Sequence, residues 1–131
     1  MASVLVVGID PDAVPGLDGP GLRAALDAEL ARFTAHGIDA AMTLLPLDET
    51  AEPALGAALT SRPWDVVVIG GGIRKPAALL ELFESVVNQV RRLAPQAAIA
   101  FNSTGGDSVE AALRHLPDEG QERGPSGRWL T

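Results

Sequence analysis

The sequence predicts an α/β fold in which helices cover both faces of a four-stranded parallel sheet. Two runs, Val4–Val7 and Val66–Ile69, are apolar at every position, which is typical of strands buried on both faces of a parallel sheet. Two less apolar runs, at residues 38–44 and 97–101, are also predicted strands, and segments with helical periodicity lie between the strands. Strands that alternate with helices favour right-handed crossovers, and the predicted strand order is 2-1-3-4.

The first half of the chain contains two predicted strands and two predicted helices. The first strand, residues 4–8, leads into a Pro- and Gly-rich loop that extends to Gly21. Residues 38–44 alternate incompletely between apolar and polar, which indicates a less buried second strand near a sheet edge. A short helix over residues 50–61 follows, and Gly37 is placed to end the helix before the second strand. That first helix is predicted from four apolar residues at helical spacing: Leu22, Leu26, Leu30 and Phe33.

The second half repeats the pattern. The third strand, residues 66–69, is followed by a glycine loop and by a helix over residues 76–94, which Pro76 can begin. Residues 97–101 are the fourth strand. Asp107 and Glu110 match a capping box, which predicts that each side chain bonds the other end of the first turn of the last helix.

These elements predict one domain over residues 1–116, a three-layer α/β/α sandwich. Its outline is flavodoxin-like, or more broadly Rossmann-like, with the fifth strand missing. Residues 117–131 are expected to form a tail that docks through Trp129. The fourth strand lies at a sheet edge, and edges are usually covered, so a partner subunit or the segment 128–131 is expected there. We therefore expect a homodimer, since two-fold dimers are the commonest soluble assembly.

Composition narrows the classes of function. The 131 residues carry a formal net charge of −7, which argues against binding to nucleic acid or to an anionic membrane surface. No cysteine occurs, so iron–sulfur clusters and cysteine-ligated zinc are excluded, and no ligand motif for haem is present. No apolar run approaches the length of a membrane span. These features predict a cytoplasmic protein.

The predicted strand order places a candidate site. Winding reverses between the first and third strands, and open α/β sheets bind ligands outside the carboxyl ends of the strands at that point. Three loops meet there: Asp10–Asp12, Gly70–Lys75 and Asn102–Asp107. The site is thus predicted by topology, and the identity of its ligand has to come from the side chains.

The leading hypothesis is a small anionic ligand that carries a phosphate or carboxylate. Glycines can adopt positive φ and bring backbone N–H groups close to a ligand, and a cation beside them favours an anion. The alternative is that the glycines only allow a tight turn while Arg74 pairs with a surface acid. Neither a P-loop nor a Gly-x-Gly-x-x-Gly string is present. The candidate ligand-binding residues are Gly70, Gly71, Gly72, Arg74, Lys75, Asn102, Ser103 and Thr104.

A second hypothesis is a phosphoester hydrolase assisted by Mg²⁺. Asp10 and Asp12 follow the first strand as Asp-Pro-Asp, and paired carboxylates can hold Mg²⁺ or supply a nucleophile and a general acid. The order is similar to the opening of haloacid-dehalogenase-type phosphatases, but no later acidic pair completes the metal site. The alternative is that both carboxylates shape the turn by accepting backbone N–H bonds. A third hypothesis is a non-catalytic dimerisation or interaction module.

Four short segments also carry a resemblance: Asp-Pro-Asp at 10–12, Gly-Gly-Ile-Arg at 71–74, Leu-Phe-Glu at 82–84 and Phe-Asn-Ser-Thr at 101–104. With these, the chain resembles a family of small, uncharacterised, single-domain bacterial α/β proteins. The resemblance covers most of residues 1–116. It implies the same compact fold and no particular activity.

Overall fold

The fold is described here from a computed structural model of the chain, over residues 1–104 and 106–116. The tail at residues 117–131, and with it the predicted docking of Trp129, lies outside this part of the chain.

A single sheet of four parallel strands forms the middle layer. The strands are β1 (Ser3–Ile9), β2 (Asp39–Leu45), β3 (Val66–Ile69) and β4 (Ala98–Phe101). Their order is β2-β1-β3-β4, with parallel pairing at every step. The predicted fold class and strand order are confirmed.

Helices cover both faces of the sheet. They are α1 (Gly19–Ala35), α2 (Ala51–Thr60), α3 (Gly71–Arg74), α4 (Leu80–Leu93) and α5 (Ser108–Leu113). Short 3₁₀ turns at Pro11–Ala13 and Ala77–Leu79 precede α1 and α4. Two buried clusters separate the layers, one packing the sheet against α2, α3 and α4 and the other packing it against α1 and α5.

Strand β3 is the centre of the core, as its continuous apolar sequence predicts. All four of its side chains are inaccessible to solvent. Val67 and Ile69 face the cluster beneath α2 and α4, whereas Val66 and Val68 face α1 and α5. Because alternate residues of a strand point to opposite faces, a strand covered on both sides needs apolar residues at every position.

The glycine loop differs from its predicted form. None of Gly70, Gly71 and Gly72 has a positive φ, since Gly16 and Gly37 are the positive-φ residues of the described chain. Gly37 does end α1 in this conformation, as predicted. The prediction of a helix over residues 76–94 was wrong at its start, because Pro76 is extended (ψ 126°) and separates α3 from α4.

The predicted capping box of α5 was also wrong. The Asp107 side chain makes no capping bond, and Glu110 pairs with Arg32 of α1. The first turn is held instead by Glu29 of α1, whose Oε2 accepts the Val109 N–H at 3.0 Å. Glu29 is only 3% exposed and also bonds Arg32. A carboxylate from a neighbouring helix thus satisfies an amide that local sequence was expected to satisfy.

Arg32 joins α1 to the loop before α5. Besides its two carboxylate partners, its Nη1 donates to the Gly106 carbonyl at 2.9 Å. The hydrogen bond that Arg32 donates to Glu110, followed by the one that it donates to Glu29, raises the pKa of Arg32 above its ordinary value. The same contact lowers the pKa of Glu110. The cluster fixes α5, and therefore the loop after β4, against α1.

The open edge of β4 is partly covered by the chain itself. Ala98 donates to Asp65 and so faces β3, which turns the backbone groups of Phe101 toward the open edge. Arg114, directly after α5, donates to the Phe101 carbonyl at 2.8 Å. A charged side chain on an edge strand opposes pairing with another chain. The predicted homodimer stays a prediction.

Within the part of the chain that the structure describes, no helix combines the length and apolar character needed to cross a membrane.

Replacing Glu29 by Ala should destabilise the protein by about 2–3 kcal/mol. The change leaves the buried Val109 N–H without an acceptor and removes one of the two carboxylate partners of Arg32. Urea unfolding measures the change. Asp27→Ala removes an exposed acid from the same helix and should cost less than about 0.5 kcal/mol. Equal losses for the two variants would contradict the assignment.

Candidate functional site

A cavity of about 470 Å³ lies at the carboxyl ends of β1 and β3, where topology predicts a site. This volume is within the range of about 300–1,000 Å³ that small-molecule sites occupy. Two of its lining residues, Asn102 and Ser108, have polar side chains, and the rest are apolar or glycine. The lining residues are Val6, Val7, Gly8, Ile9, Val14, Leu17, Leu22, Leu26, Met42, Leu44, Leu47, Gly70, Gly71, Gly72, Pro76, Leu79, Asn102 and Ser108.

The cavity exists because the amino-terminal half of α1 does not close onto the sheet. Phe33, near the end of this helix, is fully buried, whereas Leu22 and Leu26 are only half-buried. Leu17 and Leu47, in the loops that precede α1 and follow β2, are 49% and 43% exposed although both line the cavity. Apolar side chains that line a cavity and also reach solvent mark its mouth.

The glycine turn forms one wall by close backbone approach. The Gly70 N–H donates to the Val7 carbonyl at 2.9 Å, and a Cβ on Gly70 would lie 3.2 Å from that oxygen. Gly71 and Gly72 begin α3 and line the cavity with backbone. The glycines therefore allow β3 to turn directly against β1, which is the role that the alternative interpretation gave them.

Asn102 is the buried polar residue of the site, at 4% exposure. Its Oδ1 accepts the Gly71 N–H at 2.9 Å, and its Nδ2 donates to Ser108 Oγ at 2.9 Å. Because a backbone N–H can only donate, the Gly71 contact fixes which end of the amide carries the oxygen. The side chain ties the turn after β3 to the first residue of α5.

The two predicted cations bind the loop after β4. Arg74 Nη2 donates to the Asn102 carbonyl at 2.7 Å, and Lys75 Nζ donates to the Ser103 carbonyl. The Arg74 guanidinium also lies 5.5 Å from the centre of the Phe101 ring. Its Nη1 is buried and has no hydrogen-bond partner among the described residues. Neither cation lines the cavity.

Asp10 and Asp12 are held by Arg23 of α1. Arg23 Nη2 donates to Asp10 Oδ1 at 2.8 Å and to Asp12 Oδ2 at 2.9 Å. Asp10 Oδ1 also accepts the Asp12 N–H at 2.9 Å and caps the 3₁₀ turn, as the turn-shaping alternative expects. Neither residue lines the cavity. Within residues 1–104 and 106–116, no group of three or more acidic or histidine side chains is placed to hold a metal ion.

Ser103 and Thr104 are exposed and belong to a loop organised by Asp107. The Asp107 carboxylate accepts both backbone N–H groups, at 2.9–3.0 Å. Burial alone would raise the pKa of Asp107, but the bonds from Thr104 and Ser103 outweigh it and lower the pKa below its ordinary value of 3.8. The ionised form of Asp107 therefore stabilises the loop that carries Asn102.

The predicted loops meet, but only some of their side chains share the cavity. Gly70, Gly71, Gly72 and Asn102 line it, together with Ser108, which is not among the predicted site residues. The apolar wall of the cavity was also missed, because Leu22 and Leu26 were interpreted only as a sign of a helix. A signal was present in Leu17 and Leu47, since leucines in loops beside a predicted site suggest a wall.

The fold and the cavity together define a small doubly wound α/β protein with a ligand-sized crevice where its winding reverses. A scan of the sequence against protein families finds no match, and neither does a search of curated proteins. The resemblance to small bacterial α/β proteins accordingly stays a prediction.

Replacing Asp107 by Ala should cost about 1–2 kcal/mol of stability near neutral pH, since the loop loses its acceptor. The pKa of Asp107 is lower in the folded protein than in the unfolded chain, so its contribution is complete well above pH 3.8 and disappears as the pH falls through the folded pKa. Urea unfolding of both proteins between neutral pH and pH 2.5 measures this. The gap between the two should close at acid pH, and a gap independent of pH would contradict the role of the charge.

Proposed function

We propose that the protein is a binding module for a small organic molecule with a mostly apolar body, held at the carboxyl ends of β1, β3 and β4. The observation that carries the proposal is the cavity of about 470 Å³, whose walls are apolar or glycine except at Asn102 and Ser108. Soluble proteins pack their interiors closely, so a space of this size open to solvent is an exception that ligand binding would explain.

The energetics favour an apolar occupant. Moving apolar surface out of water is worth roughly 25 cal/mol per Å². The cavity combines side chains from β1, β2, α1 and two loops, so one occupant would contact several elements at once. Leu17 and Leu47 at the mouth would also lose their exposure to water.

The proposal keeps the anionic group that the sequence predicts on the ligand, and places this group at the rim of the cavity instead of in its interior. Arg74 and Lys75 form no ion pair with a carboxylate of the described residues, and only Ile73 separates them from the glycines that line the cavity. A phosphate or carboxylate on the ligand would find positive charge there, outside the apolar interior.

Hydrolysis is less well supported than binding. Asp10 would need to leave Arg23 before it could attack a phosphoester or hold Mg²⁺. A role in dimerisation or protein interaction rests on the sheet edges and needs no cavity.

Binding of cyclohexanol or indole should raise the free energy of unfolding by roughly 1.4 kcal/mol at about ten times the Kd. Leu26→Trp fills the cavity and should abolish the gain, whereas Leu113→Trp, on an exposed position of α5 outside the cavity, should keep it. Thermal and urea unfolding measure both. Stabilisation by inorganic phosphate alone would favour a wholly anionic ligand, and no stabilisation by any compound would overturn the proposal.

A further inference from the structure

We infer that the interior of the cavity recognises a neutral hydrogen-bond acceptor, a carbonyl group, carried by the apolar ligand and bound by Ser108 and Asn102. The inference rests on the proposed binding function and names the chemistry that selects the ligand.

The side chains of Asn102 and Ser108 carry three polar hydrogens between them. Asn102 Nδ2 has two hydrogens, and Ser108 Oγ accepts one of them. The Ser108 oxygen is used as an acceptor in this bond, so its own hydrogen has to point elsewhere. Among the described residues neither that hydrogen nor the second hydrogen of Nδ2 has an acceptor. Both side chains line the cavity and are at least 96% buried, with exposures of 2% and 4%.

The side-chain oxygens of Asn102 and Ser108 are already used as acceptors. Asn102 Oδ1 already accepts the Gly71 N–H, and Ser108 Oγ already accepts from Asn102. An oxygen that accepts one bond is adequately satisfied, whereas a buried N–H or O–H without an acceptor is costly. The polar part of the cavity therefore has donors to offer, and it favours a ligand group that accepts.

Among the described residues, the lining of the cavity carries no charged side chain. The residues that line the cavity include no Arg, Lys or His, and also no Asp or Glu. Burying an ionised carboxylate without a cation is far more costly than burying a carbonyl that receives a hydrogen bond. An ammonium group would find no anionic side chain in this lining. A neutral ketone, amide or ester oxygen fits both the donors and the absence of charge in this lining.

Four ligands of similar size separate these alternatives: cyclohexyl methyl ketone, ethylcyclohexane, cyclohexanecarboxylate and cyclohexylmethylamine. Displacement of a fluorescent apolar dye from the full-length protein ranks their affinities. The ketone should bind about 3- to 10-fold more tightly than the hydrocarbon, which corresponds to one net hydrogen bond. The carboxylate and the amine should bind more weakly than the ketone.

A spectroscopic measurement makes the test independent of affinity. The infrared carbonyl stretch of the bound ketone should lie at a lower frequency than in an apolar solvent, because a hydrogen bond to the oxygen weakens the C=O bond. Ser108→Ala should reduce the shift and bring the affinity of the ketone toward that of the hydrocarbon. Ser61→Ala removes a hydroxyl that bonds the Ala58 carbonyl at the end of α2, away from the cavity, and should change neither.

The outcomes separate the two proposals. Equal binding of the ketone and the hydrocarbon, with no infrared shift, would overturn carbonyl recognition while leaving the apolar site intact. Tightest binding by the carboxylate would overturn it in favour of an anion. No displacement of the dye by any of the four ligands would contradict the proposed function itself. If Ser108→Ala fails to fold, the ligand series and the infrared shift of the unmodified protein still decide the question.

Discussion

The buried amide of Asn102 is the interaction on which the candidate site depends. Parallel strands end at one edge of the sheet, but nothing in strand pairing fixes the loops that follow them. Asn102 bonds the turn after β3 through Gly71 and the start of α5 through Ser108. Arg74 and Lys75 then hold the backbone carbonyls of Asn102 and of Ser103. The Asn102 side chain and the two cations thus join the turn after β3 to the loop after β4. The Gly70–Val7 contact fixes the position of that turn relative to β1.

The fold was predictable because its main constraint is local in sequence. The apolar side chains of β3 can be buried only if other layers cover both faces of the strand. The alternation of strands and helices then allows few topologies. The location of the site follows from that topology. The contacts within it do not, because they join residues far apart in sequence. Glu29 caps α5 across 80 positions and displaces the capping box that Asp107 and Glu110 predict. No local pattern records such a partner, and the roles of Arg74 and Asp10 depend on groups 28 and 13 positions away.

The chemistry of the site differs from the expectation for a similar reason. Glycines followed by two cations favour an anion if the cations point into the crevice. In the structure the backbone of the loop after β4 takes their donors, and leucines from α1 and its neighbouring loops face the space that is left. The charged residues of the predicted site therefore lie outside the cavity lining, and the lining is apolar except for a small group of donors. Composition could not reveal this division, because leucines that cover a core and leucines that line a cavity have the same spacing.

The incomplete closure of α1 has a consequence for how such a chain can change over time. Half-buried leucines above an open space contribute less to stability than they would if the helix settled onto the sheet, and larger side chains at these positions would recover part of that loss. Stability and an open cavity therefore place opposing demands on the same residues. In related chains under selection for folding alone, positions 22 and 26 should drift toward bulkier residues, so the persistence of the space would itself record that something occupies it.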